Sequence, residues 1–382
     1  MRQLAILAIL VLACASAACP RTDPAQSAGS ARTVTPADNA SEDGAAARPA
    51  DAPSAPATAV KALPPLAPLA ELGCGKLPMR LASEPLSLLA ARLHLRPLEG
   101  ARVQARGHSI MSAPEADEAE TRIFLEHEGQ KLVIMTHDSL QLASALSAET
   151  AVAAIEPMVF TPGAKLTAHA LPTADQRLRA VAVIPEALDL SDGEAVFVLG
   201  VVAVHPDGTA QLQAYYVDPV AGASGRACTE AALHVAQTLR AGERTLVRSA
   251  GERALTGPGN LHIRVEQDWV MTTQQGPDFS VYRLQRLVPL GQAVPQIGVY
   301  VGHHPSRQDK PAEQKLPGRL FGKEITWAGP SAEATRPQVR EIVVAVPGGN
   351  GLQAHVWMVA PSLASLAAVQ AMAESLRVGS KP

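Results

Sequence analysis

The feature that most constrains the fold is an internal repeat. Residues 212–242 and 352–379 both open with Leu-Gln-Ala and an apolar run, cross a turn that contains proline, and close with Leu-Arg-x-Gly. The first copy is longer by three residues, in its turn. The identities in the closing part are Ala231/Ala368, Ala236/Ala373, Leu239/Leu376, Arg240/Arg377 and Gly242/Gly379. The match predicts one supersecondary unit that occurs twice; the alternative is chance similarity between two alanine-rich helices.

The repeat extends upstream of each Leu-Gln-Ala. Residues 195–204 and 340–346 are apolar runs, and each is followed by a turn that contains Asp-Gly or Asn-Gly, at 205–208 and 347–351. These dipeptides supply the positive φ that a tight hairpin turn needs. Each copy is therefore predicted to be a hairpin, a loop and a helix, with Gly242 and Gly379 at the C′ position of the helix.

The remaining pattern predicts an antiparallel sheet with few helices. In the second half, strands are predicted at 261–265, 269–272, 279–287, 296–302, 323–327, 343–346 and 352–359, before a helix at 362–378. In the first half, strands are predicted at 122–127, 131–136, 178–184, 195–204 and 210–217. Helices are predicted there at 86–93, with Ser83 as N-cap and Pro85 in the first turn, at 139–155, and at 229–239.

These elements give α+β architecture. The region from Leu69 to Val378, which has the composition of a globular protein, is longer than one domain usually is. We therefore expect two tandem α/β/α-sandwich-like domains, each an antiparallel sheet that ends in a hairpin and a C-terminal helix. The predicted boundaries are a signal peptide at 1–18, a disordered Ala/Pro-rich linker at 19–68, a first domain at 69–245 and a second at 256–379.

The second half resembles the PsbP-like α/β/α sandwich family. The matching pattern is the opening strand at 261–265, the Asp268-Trp269-Val270 that follows it, and the terminal strand and helix with Glu374-Ser375-Leu376. The first half resembles it more loosely. The resemblance implies exported or lumenal domains that act as binding or assembly modules and share no catalytic residues.

The N-terminus is typical of a secretory signal. Arg2 is followed by an apolar stretch at 4–13, a run of small residues and Cys19. Cys19 is the predicted lipidation site; Cys14 and ordinary cleavage without a lipid are the alternatives. Because Pro20 is not aspartate, we expect an anchor in the outer membrane, facing the periplasm or the cell surface. The linker after it has too little apolar surface to fold.

Two cysteines remain in the body of the chain, Cys74 and Cys228. Export to an oxidising compartment predicts a disulfide between them. Two buried free thiols are the alternative.

No linear motif for catalysis or for a cofactor is present. The sequence lacks a nucleophile elbow, a His-Glu-x-x-His motif and a phosphate-binding loop. His137-Asp138-Ser139 places triad residue types side by side, but triads assemble in space; Asp138 or Ser139 is predicted to be a helix N-cap. We expect no cofactor, and the net charge of −3 argues against a nucleic-acid partner.

Three further features have residue types that occur in metal or binding sites. His303 and His304 are predicted to lie in a solvated loop, because adjacent residues on a strand point to opposite faces. The acidic run at 115–120 is predicted to be a solvated loop without calcium-loop spacing. No metal site is expected. Trp269, Trp327 and Trp357 are predicted core residues, and an exposed one would mark a binding face.

These observations favour a non-enzymatic cell-envelope lipoprotein that acts as a binding or assembly module. It would take an envelope protein partner or a small ligand at a sheet face or between the domains. The alternatives are a secreted hydrolase or metal-dependent enzyme whose residues meet only in space, and a passive structural lipoprotein.

Overall fold

The computed structural model describes residues 60–110, 117–159, 163–188, 195–218, 223–246, 248–305, 314–329 and 337–379. Within these residues the chain is mixed α+β and mostly strand, as predicted. We call the part up to Leu246 the first half and the part from Arg248 the second half. The helices are α1 (Ala148–Ile155), α2 (Gly225–Gln237) and α3 (Leu363–Glu374).

Strands of both halves have the following bounds. Those of the first half are β1 (Lys61–Ala62), β2 (Leu86–Leu88), β3 (Leu93–Leu95), β4 (Arg102–Ile110), β5 (Asp117–His127), β6 (Gln130–Leu142), β7 (Leu166–Ala170), β8 (Arg179–Pro185), β9 (Val196–Val204), β10 (Thr209–Val217) and β11 (Arg240–Ala241). Those of the second half are β12 (Gly251–Leu255), β13 (Leu261–Val265), β14 (Trp269–Gln275), β15 (Phe279–Arg286), β16 (Gln296–Gly302), β17 (Gln314–Leu320), β18 (Lys323–Gly329), β19 (Gln338–Ala345), β20 (Gln353–Ala360) and β21 (Arg377–Val378).

Strands from both halves join in one sheet of 15 strands. Its order is β1-β7-β8-β9-β10-β6-β5-β4-β14-β15-β16-β20-β19-β18-β17. The halves meet where β4 pairs with β14, through Ile110 opposite Thr272 and Ser109 opposite Thr273. Neighbouring strands are antiparallel, apart from the parallel pair of β1 and β7. The two-domain boundaries stay a prediction.

Both edges of the large sheet are poor templates for further pairing. At one edge β1 has two residues. At the other edge β17 contains Pro317, which has no N–H to donate, between Lys315 and Arg319. Short strands, proline and charge are common protections of edge strands.

The sheet of the first half is covered on both faces. On one face α2 shares an apolar cluster with Ile134 and Tyr215. On the other face α1 shares a second cluster with Phe197 and Tyr216. Because both faces are covered, all nine residues of β10 are buried.

The sheet of the second half is covered on one face. Helix α3, which begins with a capping box at Ser362 and Ser365, packs with Ile297, Val356 and Met358. Along β20, partly exposed and buried residues alternate strictly. This is the pattern of a strand with one face in the core and one face in solvent.

Each half ends in a hairpin, a helix and a short strand. Strand β11 pairs with β3, and β21 pairs with β13, in two small three-stranded sheets. The prediction that Gly242 and Gly379 are helix C′ residues is wrong, because α2 and α3 end earlier, at Gln237 and Glu374.

The two glycines have a different, shared role. The backbone N–H of Gly242 donates to the carbonyl of Arg92 (2.9 Å), and that of Gly379 donates to the carbonyl of Asn260 (2.7 Å). A Cβ on Gly242 would lie 1.8 Å from the Ala91 carbonyl oxygen. A close backbone approach therefore requires glycine at this end of the repeat.

The matched strand residues of the two copies do not lie on equivalent faces of their sheets. Leu212 faces the α1 side of the first sheet, whereas Leu352 packs on the α3 side of the second. Relative to the C-terminal helix of each half, the matched Leu-Gln-Ala residues therefore point to opposite faces. A shift of one residue in a strand has this effect, so only the closing part of the match is structurally equivalent.

Two predicted helices are wrong in whole or in part. Residues 86–93 form β2, a left-handed turn and the start of β3. Strand β6 extends to Leu142, and helix α1 begins only at Ala148. The N-cap of α1 is Ser147, whose side chain accepts from the Thr150 N–H, and not Asp138 or Ser139.

Candidate functional site

A disulfide joins Cys74 and Cys228, as the sequence predicts, with a Sγ–Sγ distance of 2.02 Å. Both residues are 1% exposed. The segment before Cys74 lies along α2: the Ala67 N–H donates to Glu230 Oε2 (3.3 Å), and the Ala67 carbonyl oxygen lies 2.7 Å from His234 Nε2. The bond therefore fastens the chain to α2 where it enters the fold.

A set of buried charged and polar side chains surrounds the turn between β9 and β10 in the first half. We call it the Asp207 cluster, and it consists of Arg92, Asp138, His205, Asp207, Thr209 and Gln211. Apart from Asp207, each of these residues is at most 2% exposed, and the Asp207 side chain is 8% exposed.

Asp207 is the centre of this cluster. Its carboxylate accepts hydrogen bonds from Arg92 Nη2 (2.9 Å), Thr209 Oγ1 (2.6 Å) and the Leu246 N–H (3.0 Å). His205 Nδ1 lies 3.1 Å from Asp207 Oδ1. Arg92 also approaches Asp138, with 3.3 Å between Nε and Oδ2. The cluster thus joins the β9–β10 turn, the β2–β3 connection and the segment that leads to the second half.

The partners of Asp207 hold its carboxyl in the charged form. Burial by itself raises the pKa of Asp207. The hydrogen bond with His205 and the positive charge of Arg92 lower it, and bonds from Thr209 and the Leu246 N–H add to this. The pKa of Asp207 therefore lies well below its usual range.

Strained backbone precedes Arg92. Leu89, Ala90 and Ala91 have φ values of 52°, 52° and 67°, a region that residues with a Cβ rarely adopt in succession. The turn is held by the Leu89 N–H, which donates to Thr121 Oγ1 (3.0 Å), and by the Arg92 ion pairs. Because the Arg92 side chain is fully buried, the cluster stabilises the fold and presents no surface to a macromolecule.

The exposed candidate surface lies in the second half. We call it the outer face: the side of β15, β16, β20 and β19 opposite α3. Its side chains include Phe279, Arg283, Tyr300, Glu341, Val343, His355 and Trp357, and these are only partly buried.

Aromatic rings lie flat on the outer face over glycines of β16. Trp357 is the cross-strand neighbour of Gly298, and a Cβ on Gly298 would lie 1.9 Å from indole Cε2. Phe279 and Tyr300 stack at 5.6 Å between ring centroids, beside Gly302. Because glycine has no Cβ, the rings can lie close to the sheet. They form a flat aromatic surface toward solvent.

A polar pair lies next to Trp357. His355 Nε2 lies 2.9 Å from Glu341 Oε2, and the rings of His355 and Trp357 are 5.2 Å apart at their centroids. The two side chains of the pair are 13% and 28% exposed. The outer face therefore combines aromatic rings, β-branched residues and a polar pair.

The three tryptophans do not share one environment. Trp269 and Trp327 are core residues at 5% and 0% exposure, as predicted. Trp357 is partly exposed on the outer face, so the core prediction is wrong for it. Of the three tryptophans, Trp357 is the one that reaches solvent in part.

The residues of His137-Asp138-Ser139 are not assembled as a triad. Asp138 turns inward to Arg92, while His137 Nδ1 lies 3.8 Å from Glu120 Oε1. The Ser139 hydroxyl donates to the Ala210 carbonyl (2.6 Å).

The other predicted features have the following outcomes. His303 and His304 are exposed after β16, with 6.5 Å between ring centroids. Of the acidic run, 115–116 lie outside the described residues and 117–120 belong to β5, so a loop was wrong for that part. Within the described residues, no group of three or more His, Cys, Asp or Glu side chains is placed to hold a metal ion.

The predictions for residues 1–59 lie outside the described residues. These are the signal peptide, lipidation at Cys19 and the linker up to Ala59. Residues 60–68 of the predicted linker are described and include β1, and Leu63 and Leu66 pack against the core of the first half. None of the helices in the described ranges combines the length and apolarity that crossing a membrane requires.

Comparison with known proteins adds one distant likeness. No protein-family model and no curated protein matches the chain. The chain is similar to the crystal structure of MucB in complex with MucA(peri), at 12% identity over 74% of this chain and 92% of that chain, with a TM-score of 0.17. A likeness at this TM-score carries no argument about fold or function.

Proposed function

We propose that this chain is a non-enzymatic envelope lipoprotein that binds a protein partner through the outer face. The observation that carries the proposal is the position of Trp357: it lies in the middle of a sheet face that no described helix covers. A one-sided sheet normally shows polar residues to solvent, and a flat indole there is unusual.

The composition of the outer face favours a protein partner. Tryptophan, tyrosine and arginine are the residues most enriched in binding hot spots, and the outer face has Trp357, Tyr300 and Arg283 on three adjacent strands. Strands in a sheet are about 4.8 Å apart, so four strands with their side chains span roughly 20 Å. That is enough for the centre of a protein interface.

The tether is the second part of the proposal. The signal sequence, Cys19 and the Ala/Pro-rich linker would hold the folded part at the outer membrane, free to reach a partner. The disulfide supports this arrangement, because it fastens the chain to α2 shortly after the predicted linker ends.

The fold of each half is a further part of the proposal. We propose that the halves are tandem copies of an α/β/α sandwich that resembles the PsbP-like family. The helices on both faces of the first sheet support this for the first half.

The proposal is tested by site-specific photocrosslinking of the full chain in the cells that make it. A benzophenone amino acid replaces Val343 on the outer face or, as control, Ala367 on the solvent side of α3. We expect one protein adduct of defined mass from position 343 and none from 367. The partner protein that mass spectrometry identifies in this adduct should then bind the purified chain.

A pair of variants ties the adduct to the aromatic surface. Trp357→Ala should reduce the adduct at position 343 at least tenfold, and Trp357→Phe should keep part of it because a ring remains. Equal adducts from 343 and 367, or none from 343, would contradict the proposal. An adduct that resists protease and contains glycan would identify a carbohydrate ligand and would contradict a protein partner.

A further inference from the structure

Several buried polar atoms of the Asp207 cluster have no hydrogen bond to another described residue. They belong to three side chains: Arg92 (Nη1), His205 (Nε2) and Gln211 (Nε2 and Oε1). Arg92 Nε and Asp138 Oδ2 beside them form an ion pair at 3.3 Å. Each of these residues is at most 2% exposed. A buried amide or guanidinium that lacks partners is unfavourable, and native interiors rarely keep several together.

These atoms come from elements that the fold brings to one place. Gln211 on β10 is the cross-strand neighbour of Asp138 on β6. Arg92 reaches the same end of β10 and donates from Nη2 to Thr209 Oγ1 (2.8 Å). The unpaired atoms of Arg92 and Gln211 therefore converge at this end of β10, beside the Arg92–Asp138 ion pair.

Gln213 shows that the position itself does not prevent pairing. It lies two residues further on the same face of β10 and is also 0% exposed. Its Oε1 accepts from the Tyr215 hydroxyl (2.9 Å), and its Nε2 donates to Thr136 Oγ1 (3.4 Å). Two buried glutamines of the same strand thus differ in whether the protein supplies partners.

The chemistry of the unpaired atoms selects the ligand. Two carboxylates, Asp138 and Asp207, disfavour an anion, and the Arg92 guanidinium disfavours a metal cation. The set contains donors and acceptors together, which suits a small neutral molecule that can do both. We infer that the Asp207 cluster encloses ordered water, which bridges Gln211 to Arg92 and Asp138.

This water site would be part of how the halves are connected. The Asp207 carboxylate accepts from the N–H of Leu246, the last residue of the first half, and the Asp207 carbonyl oxygen accepts from Nη2 of Arg248, the first residue of the second half (2.5 Å). Water that fixes Arg92 and Gln211 would also fix the turn that holds this segment. The inference does not depend on the proposed partner.

The test counts long-lived water in the full chain by oxygen-17 magnetic relaxation dispersion. The variants are Gln211→Leu and, as matched control, Gln213→Leu. We expect Gln211→Leu to lose at least one long-lived water and Gln213→Leu to lose none, because Gln213 bonds directly to protein. A crystal structure of the unaltered protein should show water within hydrogen-bond distance of Gln211 and of Arg92 or Asp138.

The outcomes separate clearly. The inference is overturned if the unaltered protein shows the Gln211 amide bonded only to protein groups, or if both variants keep the full count. It is also overturned if both lose the same number. Should Gln211→Leu not fold, the crystal structure of the unaltered protein decides alone.

Discussion

Strands β10 and β20 are the second strands of equivalent hairpins. Every residue of β10 is buried, whereas in β20 only alternate residues are buried. The difference comes from one helix. Helix α1 covers the face of the first sheet opposite α2, and within the described residues no helix covers the corresponding face of the second. The same hairpin-and-helix unit is thus a closed core in one half and a one-sided sheet in the other.

A glycine on each of these faces shows the same difference in how the face is covered. Gly200 in β9 lies under Ile155 of α1, and a Cβ there would be 2.4 Å from the Ile155 side chain. Gly298 in β16 lies under the indole of Trp357, from its own sheet. One face is closed by a helix, the other by an aromatic ring that stays partly exposed. The outer face is therefore the surface that the proposed partner would contact.

The largest expected effect compares a charge on each strand. Ala214→Asp buries a carboxylate among the apolar side chains on the α1 side of β10, and should cost more than 4 kcal/mol or prevent folding. Val359→Asp on the outer side of β20 should cost less than 1 kcal/mol. Urea unfolding followed by circular dichroism measures both. Similar losses would show that the two faces are equally covered.

The next effect compares two carboxylates that each lie beside a histidine. Asp207→Asn leaves the buried Arg92 without its main partner and should cost about 3–5 kcal/mol at pH 7. Glu341→Gln on the outer face should cost less than 1 kcal/mol, because the His355 pair is partly exposed. Equal costs in urea would contradict the assigned difference in burial.

The Asp207 effect should also depend on pH. The folded pKa of Asp207 lies below the unfolded value of about 3.9. Its contribution is therefore complete above about pH 4 and is lost as the pH falls through the folded pKa. The stability gap between the unaltered protein and Asp207→Asn should narrow below about pH 4 in urea titrations. A gap that widens on acidification would reverse the assigned direction of the pKa shift.

A fourth prediction concerns the disulfide between Cys74 and Cys228. The disulfide closes a loop of 154 residues, and the Cys74→Ser, Cys228→Ser double variant should lose about 2–5 kcal/mol. The loss is measured by thermal unfolding against the oxidised protein. Reduction of the unaltered protein should lower the midpoint similarly. No change in either case would mean that the bond does not form in solution.

The local pattern was sufficient for the strands that alternate and for the turns with Asp-Gly or Asn-Gly. Strand β16 has the predicted bounds, and β13 does too. The pattern failed at 86–93, because leucine spacing also fits two short strands joined by a left-handed turn. It missed β17, whose Pro317 and glycine are tolerated because it is an edge strand.

The candidate surface was only partly predictable. An alternating strand shows which residues share a face, but the sequence does not say which face a distant helix covers. Trp357 therefore could not be placed outside from residues 352–359 alone. Asp207 was seen only as a turn residue, since its partner Arg92 is far away in the sequence and follows a turn that no local rule predicts.

Hydroxyl-radical footprinting of Trp357 tests the central claim most directly. The oxidation of each tryptophan is measured by mass spectrometry in the purified chain and in the native membranes. We predict that Trp357 is oxidised in the purified chain and protected at least severalfold in membranes, while the buried Trp327 stays unreactive in both. Equal oxidation of Trp357 in the two samples would contradict a partner on the outer face, and no oxidation in the purified chain would contradict the exposed face itself.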